Sequence, residues 1–93
     1  MIKMQVNIEI ERNKLKHAIA EIIKDLRLSR HKSISLICAE IGMTKSMWAD
    51  LEKGIKDPQL STLFRIAEAL DIPLSKLIIQ LENKLGDNFS FID

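Results

Sequence analysis

Cysteine occurs once in the 93 residues, at Cys38. A single cysteine excludes an internal disulfide and a cysteine-based zinc site. Histidine is nearly as scarce: His31 reads as a solvated turn residue and His17 as a helix-surface one. No serine or cysteine has an obvious base, and no glycine-rich, phosphate-cradling loop is present. The chain is therefore expected to hold no catalytic set, no metal and no cofactor, and not to be an enzyme. No apolar run approaches the ~18 residues of a membrane span. The apolar residues at the N-terminus alternate with polar ones, which is not a signal-peptide pattern. No membrane association and a cytoplasmic location are expected. Low-complexity segments and internal repeats are missing as well. So is a large excess of either charge: the formal net charge is +1, which argues against a sequence-indifferent nucleic-acid coat.

What is present is a 46% hydrophobic chain of 93 residues, enough for a single domain over 1–93 with one compact core. Little is left over, so self-association is expected. The charges are uneven. Arg27, Arg30, Lys32, Lys45, Lys53 and Lys56 face only Glu40, Asp50 and Glu52 in the middle of the chain. From Asp57 onward, Arg65, Lys76 and Lys84 are outnumbered by Asp57, Glu68, Asp71, Glu82, Asp87 and Asp93. A basic middle and an acidic end suit one polyanion-facing surface.

Residues 34–53, ISLICAEIGMTKSMWADLEK, organise the rest. Ile37 and Ile41 share a helix face at i, i+4, and Trp48 and Leu51 share one at i, i+3. Between them Gly42 can take the left-handed conformation of a sharp turn, and Thr44 can cap the helix that follows. Cys38 is small where two steeply crossing helices come closest. The pattern is that of a DNA-binding helix-turn-helix, whose second helix enters the major groove.

Upstream, Ile2, Met4, Val6, Ile8 and Ile10 alternate with polar residues, which predicts a β-strand arm over residues 2–11. Asn13 then caps a first helix over about 14–29, with Leu15, Ala18, Ile19, Ile22, Ile23 and Leu26 inward. Ser33 caps the second helix and Gly54 stops the third. Ser61 caps a fourth helix, which the Asp71-Ile72-Pro73 stretch breaks. The fifth runs from about Ser75 to Leu85 on a stripe of Leu74, Leu77, Ile78, Leu81 and Leu85, with Ile79 off it. Phe89 and Phe91, two apart, suggest a short strand over 88–93. The expected fold is mainly α: a five-helix core over 13–85, an added N-terminal strand and the short C-terminal one. Because a lone strand pair is marginal in water, the terminal strands are expected to build a shared sheet in a homodimer, with the fifth helix packed beneath. The alternative is a hairpin folded onto its own subunit.

The stretch from Leu26 to about Ile78 resembles the phage-repressor-like (Xre-type) helix-turn-helix family. The likeness is carried by GMTKSMWADLEKG, by Asp57-Pro58 and by LSTLFRIAEALDIPLSKL. It implies double-stranded DNA as partner, read in the major groove by Lys45, Ser46, Ala49 and Asp50. Lys45 would donate to guanine, Ser46 donate or accept, Ala49 touch a thymine methyl and Asp50 accept from cytosine N4. Asp50 has an alternative, an intrahelical ion pair with Lys53. Phosphate contacts are implied for Ser33, Thr44, Lys53 and Lys56. Arg27 and Glu52 align with a structural ion pair of the family. The chain departs from the pattern at Ile34, where the family usually has a phosphate-contacting glutamine, and at Trp48, where a branched aliphatic is usual. Trp48 is expected in the core with its indole N–H near the surface.

The functional expectation is a sequence-specific transcriptional regulator that binds an inverted repeat as a homodimer. Binding would occlude a promoter or recruit polymerase. Two alternatives stand beside it: the antitoxin of a toxin–antitoxin pair, with strand-like ends wrapping a toxin, and a protein-interaction module that has lost DNA binding.

Overall fold

The computed structural model describes residues 5–92. Its elements are α1 (Gln5–Ser29), α2 (Ile34–Ile41), α3 (Lys45–Glu52), α4 (Leu60–Ala69) and α5 (Leu74–Leu85). α1 packs against α3 and α5, α2 against α3 and α4, and α4 against α5. The five helices close around Ile23, Ile37, Trp48, Ile66, Leu70 and Leu77, all fully buried. Each such side chain contributes roughly 1.5–3 kcal/mol by leaving water.

The expected N-terminal strand is not formed. Residues 5–11 are the opening turns of α1, and Asn13 is an exposed residue inside that helix rather than its cap. The part of the expected arm at residues 2–4 lies outside the described residues. The reason is one of partners. A strand satisfies its backbone groups only on a neighbour, whereas a helix satisfies them within itself. No glycine or proline interrupts the sequence from Met1 to Arg30, so a helix already nucleated downstream extends upstream without a second nucleation cost. The alternation is broken as a result. Ile8 is half-buried, Ile10 is 48% exposed, and Glu11 is buried with a bond from Lys14 at 2.9 Å.

The expected C-terminal strand does not form either. Among the described residues nothing beyond an isolated bridge position at Ile92 is extended pairing. Instead Ser90 Oγ accepts from the Ile92 N–H at 3.0 Å, and the Phe89 and Phe91 rings meet edge to face at 5.4 Å. Among the described residues there is thus no pair of terminal strands from which a shared sheet could be built. Ser61 is not a cap: α4 begins one residue earlier, with Gln59 at its N-cap. On α5, Leu77 is buried, Leu74, Ile78, Leu81 and Leu85 are half-buried, and Ile79 is 54% exposed.

Candidate nucleic-acid interface

Side-chain caps open both helices of the turn motif. Ser33 Oγ accepts from the Leu36 N–H and Thr44 Oγ1 from the Met47 N–H, each at 3.1 Å. Gly42, at φ 64°, ends α2, and the Met43 N–H reaches back to the Cys38 carbonyl at 3.1 Å. The thiol of Cys38 donates to the Thr44 carbonyl at 3.6 Å, which links α2 to the start of α3. Arg65, on α4, donates to the carbonyls of Ile41 at 2.9 Å and Gly42 at 3.2 Å. These acceptors at a helix end would otherwise rely on water. Sequence reasoning passed over Arg65, because a basic residue in the fourth helix does not announce which helix end it reaches.

The far end of α3 is held by one carboxylate. Glu52 receives the Arg27 Nε–H at 2.6 Å and Nη2–H at 3.0 Å, and the Trp48 indole N–H at 2.5 Å. Arg27 also donates through Nη1 to the Lys32 carbonyl at 2.9 Å, so the same guanidinium fastens the α1–α2 turn. The two charged side chains are 10% and 8% exposed. Hydrogen bonding to Glu52 raises the pKa of Arg27 above its ordinary value, against the opposing effect of burial. The Trp48 indole is not near the surface as expected. Its residue is wholly buried, and Glu52 one turn on supplies the acceptor that water would otherwise provide.

With Trp48 and Leu51 locked inward, the opposite face of α3 is outward. Lys45, Ser46 and Met47 are exposed, and Ala49 and Asp50 are half-buried. Thr44, Ser46, Met47 and Asp50 line one wall of a groove of about 490 Å³. Its other wall is the α3–α4 segment, with Lys56, Asp57, Pro58 and Gln59, and Thr62 at its base. The fold thus gathers Thr44, Ser46, Asp50 and Lys56 in one groove. Ser33, Lys45, Ala49 and Lys53 lie outside its lining. The ion pair between Asp50 and Lys53 is not made: among the described residues Asp50 has no basic partner, and Lys45, Lys53 and Lys56 have no acidic one. Gln59 was missed by sequence reasoning. It stands at the N-cap of α4 without making a side-chain cap bond, and so its amide is free to face the groove. The signal was its place directly after Asp57-Pro58 and before an apolar helix pattern.

A family model described as helix-turn-helix matches residues 23–77. The HTH-type transcriptional regulator SutR of Escherichia coli (strain K12) is 32% identical over 60 residues, covering 64% of this chain and 34% of that protein. The cryptic phage CTXphi transcriptional repressor RstR of Vibrio cholerae is 28% identical over 65 residues, covering 70% of this chain and 59% of its own. Among solved structures, an HTH_3-family transcriptional regulator from Vibrio cholerae superposes with a TM-score of 0.68 at 31% identity. That match covers 73% of this chain and 38% of the other. The chain thus spans between a third and three-fifths of the length of the curated relatives it matches.

Proposed function

Since the chain belongs to the phage-repressor-like helix-turn-helix family, we propose that it is a sequence-specific DNA-binding transcriptional regulator whose α3 lies in the major groove. One observation carries this beyond family membership: the outward face of α3 bears Lys45, Ser46, Ala49 and Asp50, while its inner face is fastened by Trp48, Leu51 and Glu52. A rigid helix with its polar face free is what base reading requires. Lys45 reads guanine, Ser46 and Ala49 the neighbouring base edges, and the unpaired Asp50 a cytosine N4 amine. Ser33, Thr44, Lys53 and Lys56 hold phosphates on either side.

Binding is to an inverted repeat by two copies of the chain, with half-sites ~34 Å apart. The outward side of α5, where Ile79 is exposed, is the surface we assign to that pairing. A monomer at micromolar concentration by light scattering removes the dimer. The antitoxin alternative leaned on strand-like ends, of which residues 5–11 are helical.

Fluorescence anisotropy against the gene's own upstream duplex and a scrambled one, at two salt concentrations, tests the reading. Specific binding should exceed non-specific by roughly 10³ or more and weaken with salt. Lys45→Ala should reduce the preference. Equal, weak binding to both duplexes would sink the regulator and favour a protein-interaction module.

A further inference from the structure

The N-terminal half of α1 precedes the family-matched residues 23–77, yet it packs under the wall of the groove. The contact is between Gly54 and His17, which covers it while remaining itself exposed to solvent. A methyl group built on Gly54 would lie 2.6 Å from His17 Nδ1 and 3.1 Å from its Cε1, so the imidazole rests directly on the glycine. Gly54 is buried and holds φ at 75°. Beyond it the segment to Gln59 has few other anchors, among them the Ile55 N–H on the Asp50 carbonyl at 3.1 Å. Ile55 is 57% exposed, and Pro58 faces Leu15 and Ile19 across a cavity of about 100 Å³. The Arg12–Asp57 pair is 3.9 Å long with both side chains about half exposed, a kind of pair that adds little.

We propose that His17 is a positioning residue for DNA binding. By bearing on Gly54 it sets the 54–59 wall beside α3, and with it Lys56 and Gln59. This rests on the DNA-binding reading above. Charged contacts to phosphate form at about 2.8 Å, so a wall that drifts by an ångström loses them. The extended α1 is in this way part of the interface without touching DNA.

The test uses the full chain as wild type, His17→Ala and His17→Phe, the last keeping a flat ring on Gly54. Backbone amide shifts report the wall, and duplex anisotropy at two salt concentrations reports binding. In His17→Ala the amides of residues 54–59 should move while those of α2 stay. Affinity should fall roughly 5–10-fold, with a shallower salt dependence from the lost phosphate contact. His17→Phe should recover most of both, and Trp48 emission should stay unchanged throughout. Unmoved amides in His17→Ala, or moved amides with unchanged affinity, overturn the proposal. If the wild-type chain binds neither duplex, the DNA-binding reading itself fails and this role falls with it. A binding wild type beside an unaffected His17→Ala isolates the failure to His17.

Discussion

Glu52 is the residue on which most depends. Its carboxylate is the common acceptor for Arg27 in α1 and Trp48 in α3, and it is almost out of water. A buried pair of this kind adds little net stability against a well-packed apolar replacement, because both ions were desolvated to make it. Losing one partner is a different matter, since the other charge stays buried. Glu52→Ala should cost about 3–5 kcal/mol and also strand the indole N–H. Urea denaturation followed by Trp48, the only tryptophan, measures this directly. Replacing Arg27 and Glu52 together by apolar residues should cost much less than Glu52→Ala alone. Equal costs would mean that the pair acts by its packing and not by its charge.

Helix ends tell a connected story at the scale of elements. α2 and α3 end on Gly42 and Gly54 in the left-handed region. α1 and α4 end in the same way on His31, at φ 54°, and Asp71, at φ 58°. In α1 the His31 N–H reaches the Leu28 carbonyl at 3.0 Å and the Lys32 N–H the Arg27 carbonyl at 3.3 Å. In α4 the Asp71 N–H reaches Glu68 at 3.1 Å and the Ile72 N–H reaches Ala67 at 3.0 Å. A side chain in this conformation carries a steric cost that glycine does not. His31→Gly should therefore raise stability by about 0.5–1 kcal/mol, read as an increase in the urea midpoint at constant slope. Gly54→Ala should do the reverse, and by more, because strain at φ 75° is joined by collision with His17. A double-mutant cycle separates the two. His17→Ala should relieve the collision but not the strain, so Gly54→Ala should cost less in the His17→Ala background. An unchanged cost would place the whole effect in the backbone.

For the whole molecule, α1 and α5, packed together through the core, are also bridged at the surface by the exposed pair of Lys84 and Glu21 at 2.7 Å. The hydrogen bond and charge of Lys84 hold the Glu21 carboxyl below its ordinary 4.5. A folded-state pKa that is depressed stabilises the fold above the unfolded value, and the effect is lost as pH falls through the folded one. The contribution is thus complete above pH 4.5 and fades below it. Glu21→Gln should lower the melting temperature slightly at pH 7 and leave it unchanged near pH 2. A deficit that persists at pH 2 would show that the carboxylate's charge is not what α5 uses.

The sequence by itself determined what is local. Ser33 and Thr44 cap the helices that follow them because a hydroxyl two or three residues from an amide needs no distant partner. Gly42 and Gly54 end helices for an equally short-range reason. The spacing of Ile37, Trp48, Leu51, Ile66 and Leu70 marks inner faces whatever lies opposite. Tertiary structure decided the rest. Residues 5–11 carry a strand's alternation, but no described neighbour offers an edge, so they join α1. Trp48 sinks fully because Glu52 is itself held in place by Arg27, on another helix. Asp50 faces a groove rather than Lys53, since the α3–α4 segment folds back to make one. His17 meets Gly54 only because α1 crosses behind α3. No period or cap in the sequence encodes that meeting: contacts between distant residues are set by how the helices pack, and packing is settled only when all the faces are brought together.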